Sequence, residues 1–187
     1  MPTPIGKEPD YLLPTRRQLL LLGALTLGEL GTWSVADAAE DDLGISREAE
    51  SIHQEPLIRA TPARVYGALT QASQFERLTQ YSDAIKSMSL APKPAQISAQ
   101  PGGAFSLFGG YVSGLFVELV PDKLIIQAWR SASWAADRYS IVRFELVAQE
   151  ESTRIVFDQG GFPTGQGPSL AHGWQVNYWA PLNKLLS

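Results

Sequence analysis

The second half of the chain combines two hydrophobic periodicities, and this combination restricts the possible folds more than any other feature of the sequence. Apolar and polar residues alternate over residues 139–148 and again over 153–159. Such alternation predicts β-strands with one buried and one solvated face, as in an antiparallel sheet. Further on, apolar residues recur every four positions, which predicts an amphipathic helix able to cover that sheet. This helical stripe consists of Leu170, Trp174, Tyr178 and Leu182.

The alternation also assigns side chains to the two faces of each strand. In the first strand Val142 and Phe144 share one face and Arg143 lies on the other; in the second, Phe157 and Asp158 point in opposite directions. The sequence leaves open which faces of the remaining strands line a cavity, because a one-residue error in register inverts the assignment.

The region before these strands predicts a strand, a helix and a possible second helix. Residues 52–59 have the pattern of a strand. Thr61 and Pro62 then predict a helix start, because threonine is a favoured N-cap and proline needs no hydrogen-bond donor at the first helical position. A second helix is predicted within residues 71–86.

The middle of the chain predicts a β-hairpin, and the end predicts a bent helix. Residues 111–120 and 123–130 flank a Pro-Asp turn. Pro181 cannot donate a hydrogen bond within the last helix and should bend it near Asn177. The order of strand, helices, several strands and a long C-terminal helix predicts an α+β fold.

The first 38 residues differ from the rest of the chain. Arg16 and Arg17 directly precede an apolar run at residues 19–27, and small residues surround Ala38. This arrangement is typical of a twin-arginine export signal with its cleavage site. We therefore expect an exported protein, in the bacterial periplasm or another extracytoplasmic space.

This interpretation divides the chain into an export signal at 1–38, an acidic linker at 39–50 and a folded domain at 51–187. The competing interpretations of the first segment are a retained membrane anchor and a plain N-terminal extension. A span needs roughly 20 apolar residues, whereas this run is shorter and is followed by Glu29. We expect no permanent membrane span in the mature protein.

The composition excludes several kinds of site. The chain has no cysteine, which removes disulfides, thiolate nucleophiles and Cys-ligated zinc. Its net charge of -4 provides no basic surface of the kind that binds nucleic acid. His53 and His172 are far apart in the sequence, and no spacing of acidic residues around them predicts a metal site. We expect no metal and no cofactor.

The sequence contains no recognisable catalytic set. Ser169 lies near His172, but no Gly-x-Ser-x-Gly motif surrounds it. Glu118 and Asp158 lie on predicted strands and are the candidate acids of a pocket that performs acid–base chemistry. The competing interpretation places both in solvent or in salt bridges. We predict no catalytic residue, and whether the protein is an enzyme stays open.

Aromatic residues cluster at the end of one predicted strand and on the last helix. Rings with polar tips suit a mostly apolar pocket that needs a few oriented hydrogen bonds, and an arginine can bind an anionic group. The competing interpretation is that the rings belong to the core. The candidate ligand-binding residues are Trp129, Arg130, Trp134, Trp174 and Tyr178.

A series of short motifs, none specific by itself, resembles the SRPBCC (START-like) superfamily, in the branch similar to the activator of heat-shock-protein-90 ATPase. The resemblance covers roughly residues 51–187. It is carried by Ile58-Arg-Ala-Thr-Pro-Ala-Arg-Val-Tyr-Gly-Ala-Leu-Thr70, Pro101-Gly-Gly-Ala-Phe105, the segment from Gly110 to Gly114, Glu118-Leu-Val-Pro121, Ala128-Trp-Arg130, Trp134, Thr153-Arg154, Gly173-Trp174 and Tyr178-Trp179.

The resemblance implies a helix-grip fold, in which a curved antiparallel sheet wraps around a long C-terminal helix with a cavity between them. The leading hypothesis is an exported, noncatalytic protein that binds a small hydrophobic or amphipathic molecule in that cavity. The alternatives are a cavity enzyme of the hydrolase or cyclase type and a protein-interaction or chaperone-cofactor-like module. An export signal separates the protein from a cytosolic chaperone, which argues against direct transfer of the latter activity.

Overall fold

The predicted α+β helix-grip fold is confirmed by a computed structural model, which describes residues 50–84 and 93–187. Eight strands of this described part form one open antiparallel sheet, and a long C-terminal helix packs against it. The strands are β1 (Ser51–Gln54), β2 (Leu57–Ile58), β3 (Gln96–Ile97), β4 (Ala104–Leu107), β5 (Val112–Val120), β6 (Leu124–Ser131), β7 (Ser140–Gln149) and β8 (Ser152–Gly160). Their order in the sheet is β1-β8-β7-β6-β5-β4-β3, and β2 also pairs with β8.

The predicted first strand is interrupted. Residues 52–59 were expected to form one strand, but β1 and β2 are separated at Glu55 and Pro56 and both pair with β8. Pro56 has no N–H to give to the sheet, while its carbonyl accepts a 3.0 Å hydrogen bond from Ile155. The strand is therefore interrupted because proline has no backbone N–H to donate to the sheet.

The helices between β2 and β3 begin as the sequence predicts. Helix α1 (Pro62–Thr70) starts at Pro62 after Thr61, and helix α2 (Ala72–Thr79) falls within the predicted range 71–86. The end of that range lies outside the described residues. The predicted export signal and all of the linker except its last residue also lie outside them.

The strand faces follow the predicted alternation. Val142, Phe144, Ile155 and Phe157 are buried in the core, and Ile141 is exposed on the opposite, outer face of the sheet. The predicted hairpin is also present, with β5 and β6 joined at a turn in which Asp122 adopts a positive φ of 62°. The core therefore lies between the inner face of the sheet and the helices.

The C-terminal helix changes its winding at the predicted bend. It consists of α3 (Gly167–Trp174), a π turn (Gln175–Trp179) and α4 (Ala180–Leu186). Pro181 cannot donate to the Asn177 carbonyl four residues earlier, and Ala180 N–H donates to the Gln175 carbonyl five residues earlier. The extra residue of the π turn brings the adjacent Tyr178 and Trp179 both into the core.

No helix in the described part of the chain has both the length and the apolar character needed to cross a bilayer.

Candidate functional site

An apolar cleft of about 260 Å³ lies between the C-terminal helix and strands β5 and β6. Its described lining contains five aromatic side chains and a set of uncharged polar ones, and no charged residue. The aromatic residues are Phe108, Tyr111, Trp129, Trp174 and Tyr178. The polar residues are Ser131, Ser133, Gln166, Ser169 and Asn177.

Three of the four tryptophans in the described part of the chain donate their indole N–H to a glutamine. Such pairing removes the cost of burying a polar N–H without a partner. Two of the glutamines lie on β1 and β8, so their bonds join the C-terminal helix to the sheet, and the third lies just before α3 and is bonded to the loop between β6 and β7. The pairs are Trp134 with Gln166 (2.7 Å), Trp174 with Gln159 (2.6 Å) and Trp179 with Gln54 (2.5 Å).

Trp129 is the exception among these tryptophans. It is only 5% exposed, and its buried Nε1 has no partner at hydrogen-bonding geometry among residues 50–84 and 93–187. Its ring packs against Trp134 and Trp174 at centroid distances of 5.3 Å and 5.7 Å. Trp129 therefore brings an unpaired donor to the wall of the cleft.

Tyr178 brings a second unpaired polar atom to the same cleft. Its hydroxyl is buried, and no described residue meets hydrogen-bonding geometry with it; its ring centroid lies 4.2 Å from that of Trp174. Burial raises the pKa of this hydroxyl above its ordinary value, and a weak interaction with the nearby Trp129 indole N–H opposes the rise only in part. The hydroxyl is therefore a neutral donor at physiological pH.

Of the five candidate ligand-binding residues, the structure brings three to the cleft: Trp129, Trp174 and Tyr178. Trp134 lies behind them, packed on Trp129 and bonded to Gln166.

Arg130 lies on the opposite face of the sheet. It follows the inward-facing Trp129 on β6, and successive residues of a strand point to opposite faces. Its guanidinium donates to the carbonyls of Trp134 and Ala135, at 2.9 Å and 3.3 Å, and lies 5.9 Å from the ring centroid of Tyr139. Arg130 therefore stabilises the loop between β6 and β7 rather than the cleft.

The two candidate acids also lie on the outer face. Glu118 is exposed beside a β-bulge in β5, where it pairs with Ile126. The Asp158 carboxylate lies 2.7 Å from His53 Nδ1 and 3.8 Å from Arg143. The structure does not bring either acid to the cleft.

His53 joins Asp158 in a chain of ion pairs on this outer face. Its hydrogen bond to Asp158 raises the pKa of the imidazole, with a smaller contribution from Glu55. A hydrogen bond from Arg154 lowers the pKa of Glu55. His172 is exposed on α3, and the described residues contain no group of three or more His, Cys, Asp or Glu side chains able to hold a metal ion.

Sequence reasoning missed four residues that shape the site. Gln159 shares the inward phase of Ile155 and Phe157, so the alternation of β8 was a usable signal for a buried glutamine. The other missed residues, Phe108, Ser131 and Asn177, line the cleft without a sequence signal that distinguishes them.

The fold and the cleft define the class of protein: a helix-grip α+β domain with an aromatic cleft between its sheet and its C-terminal helix. The family model described as "Activator of Hsp90 ATPase homolog 1-like protein" matches residues 59–187. The chain belongs to this family.

Two curated relatives are matched over part of their length. The chain is 26% identical over 179 residues to activator of 90 kDa heat shock protein ATPase homolog 2 of Mus musculus, with 94% of the chain and 49% of the relative covered. It is 28% identical over 111 residues to homolog 1 of Homo sapiens, with 59% and 32% covered. The chain thus spans about half or less of the length of these relatives.

Two solved structures share the fold. The crystal structure of an HSP90 activator from Plasmodium falciparum has a TM-score of 0.62 and 24% identity, covering 73% of this chain and 95% of the other. The solution structure of the Aha1 dimer from Colwellia psychrerythraea has a TM-score of 0.57 and 16% identity, covering 73% and 96%.

Proposed function

We propose that this protein is a noncatalytic binding protein that takes a small, uncharged, mostly apolar molecule into the cleft between its sheet and its C-terminal helix. One observation carries the proposal: Trp129 and Tyr178 both line the cleft, and within the described part of the chain neither the Trp129 Nε1 nor the Tyr178 hydroxyl, both buried, has a partner at hydrogen-bonding geometry.

An unpaired buried donor is unfavourable by about 1–3 kcal/mol. The other described tryptophans avoid this cost through glutamine. A ligand with a carbonyl, ether or hydroxyl oxygen that reaches the Tyr178 hydroxyl, beside the Trp129 indole, would accept a hydrogen bond there. The cleft is thereby prepared for an acceptor group.

The size and charge of the cleft restrict the ligand further. Its volume of about 260 Å³ is slightly below the 300–1,000 Å³ common for small-molecule sites. Because the described lining contains no charged residue, an ionised group buried there would lack a counter-charge, which is strongly unfavourable. A small neutral molecule with one polar oxygen fits best.

Native mass spectrometry of the protein purified from its own host tests the proposal directly. We expect a reproducible mass excess that is lost on denaturation and that is reduced in Trp129→Phe. The matched control is Trp134→Phe, which changes the same residue type behind the cleft. An adduct retained in Trp129→Phe but lost in Trp134→Phe would contradict the assignment, as would a protein that carries no adduct and binds no neutral ketone.

The cavity-enzyme alternative requires a carboxylate in the cleft. The candidate acids Glu118 and Asp158 lie on the outer face, and no described lining residue is acidic. These positions favour binding over acid–base chemistry.

A second candidate is a chaperone-cofactor role with a protein partner. It is favoured by the family match and by the relatives whose names describe activation of the 90 kDa heat-shock-protein ATPase. The test is the ATPase rate of a purified Hsp90 with and without this protein. A rate that rises with added protein and saturates supports the role, and an unchanged rate at concentrations far above that of the chaperone argues against it.

We also propose that the protein is exported through the twin-arginine signal at residues 1–38. The paired Arg16 and Arg17 before the apolar run support this proposal. Replacing both with lysine should retain the protein in the cytoplasm, as measured by cell fractionation. Arg47→Lys in the linker is the matched control, and equal export of both variants would contradict the proposal.

A further inference from the structure

We propose that Phe108 divides a longer groove into two compartments and thereby sets the length of the ligand that the aromatic cleft accepts. The inference rests on the proposed binding function and adds a specificity-determining residue to it.

A second cleft, of about 310 Å³, lies on the other side of Phe108. Phe108 is the one residue shared by the described linings of both clefts. The second cleft contains the charged residues Glu76 and Lys93, which the first lacks. Without the Phe108 ring, an apolar chain lying in the first cleft would be able to extend towards this polar compartment.

The Phe108 ring is held in place by its neighbours. It makes edge-to-face contacts with Phe75 and Tyr178 at centroid distances of 5.3 Å and 5.4 Å, and the residue is 6% exposed. Tyr178 is also one of the two donors proposed to bind the ligand, so the ring lies directly beside the bound oxygen. A partition at this position limits how far the rest of the ligand extends.

The backbone at this position also requires an explanation. Phe108 has a φ of 50° and is followed by Gly109 and Gly110 with φ of 69° and 95°. This left-handed region is unfavourable for a phenylalanine and favourable for glycine. Glycine would therefore fit the backbone at position 108 better than phenylalanine does. We attribute the presence of phenylalanine to its ring. Strained residues of this kind concentrate at functional sites.

The experiment measures the affinity of a homologous series of 2-alkanones by titration calorimetry. These probes carry one carbonyl acceptor and a chain of increasing length. Each methylene that stays buried should raise the affinity about fourfold. In the natural protein this gain should stop at the length that reaches Phe108, and in Phe108→Ala and Phe108→Gly it should continue to longer chains, giving at least about tenfold tighter binding of the longest probes.

Two further variants distinguish the role of Phe108 as a barrier between the two clefts from a general contribution to packing. Phe108→Leu should give an intermediate length limit, and its fold can be checked by circular dichroism if the smaller substitutions prevent folding. Phe105→Leu removes a comparable part of another buried aromatic pair, and Phe105 lines neither cleft. It should lower stability and leave the length limit unchanged.

The outcomes distinguish this inference from the proposed function. If short 2-alkanones bind but every folded Phe108 variant keeps the natural length limit, the partition is wrong and the binding function stands. If Phe105→Leu moves the limit as far as Phe108→Leu, the effect is general loosening and the inference is also overturned. If the natural protein binds no member of the series, the binding function fails and the inference with it.

Discussion

Buried tryptophans occur in two regions of the aromatic core: two of them are hydrogen-bonded to glutamine, and another lines the cleft without such a partner. Trp174 and Trp179 donate to Gln159 and Gln54 and fasten the C-terminal helix to β8 and β1; we call these two hydrogen bonds the clasp. Trp129, on β6, is nearly as buried, but no glutamine or other acceptor in the described part of the chain lies at hydrogen-bonding geometry to its indole N–H.

The difference teaches how a structural and a binding role can be separated within one aromatic core. A buried indole with a glutamine partner stabilises the protein and has no donor left to offer. A buried indole beside a cleft and without a partner lowers stability unless another molecule supplies an acceptor. Breaking the clasp should therefore lower the stability of the protein, whereas changes at the unpaired donors of the cleft should lower its affinity for a ligand.

The largest effect is expected from breaking the clasp at Trp179. The ring is 2% exposed and packs on Trp174 with a centroid distance of 5.6 Å. Trp179→Ala should lower the free energy of unfolding by about 3–5 kcal/mol, because it leaves a large cavity and an unpaired Gln54. Urea denaturation measures this change, and a loss of less than about 1 kcal/mol would show that the clasp contributes little.

A smaller loss is expected at Gln159, which is buried and bridges two partners. Its amide accepts from Trp174 and donates to Ser140 at 2.9 Å. Gln159→Leu keeps a similar volume but leaves both partners without this contact, so stability should fall by about 1–3 kcal/mol. The double variant Gln159→Leu/Trp174→Phe should lose less stability than the sum of the losses in the two single variants if the hydrogen bond is responsible. Simple additivity in urea denaturation would contradict that explanation.

The opposite behaviour is expected at Tyr178. Tyr178→Phe removes a hydroxyl that meets hydrogen-bonding geometry with none of the described residues, so stability should change by less than about 0.5 kcal/mol or rise slightly. Affinity for a 2-alkanone should fall about two- to tenfold, because one hydrogen bond is lost. Tyr111→Phe, at an exposed position of the cleft, is the control. A large loss of stability in Tyr178→Phe would remove the distinction between clasp and cleft.

The smallest effect is expected on the outer face, away from both regions. The pKa of His53 is raised by Asp158, so its contribution to stability is fully present below the ordinary value of 6.5 and is lost as the pH rises through the raised pKa. Over that range the natural protein should lose slightly more thermal stability than His53→Gln. Parallel melting curves for the two proteins across this pH range would show that the exposed ion pairs contribute nothing measurable.

The sequence predicted the fold well because period-two and period-four patterns report burial directly. The inward positions of Val142 and Phe144, the start of α1 at Pro62 and the irregularity of the last helix near Asn177 all follow from local chemistry. The split of the first strand was missed, although Pro56 was a visible reason for it.

The site was predicted less completely, because proximity in sequence is not proximity on a sheet. Arg130 was grouped with Trp129, yet strand geometry sends neighbouring side chains to opposite faces. The glutamine partners lie far from their tryptophans in sequence, with Gln54 and Trp179 separated by 125 positions. Only the folded structure shows which tryptophan is left without a partner.

The π turn at Gln175–Trp179 keeps α4 in phase with α3 although it holds one residue more than the α-helical turn it replaces. One residue of an α-helix corresponds to about 100° of rotation. Rewinding the turn as regular α-helix without removing that residue would therefore rotate α4 and turn Leu182 and Leu186 away from the core that buries them. In a redesign of this protein, the winding of that turn and its number of residues must therefore be changed together.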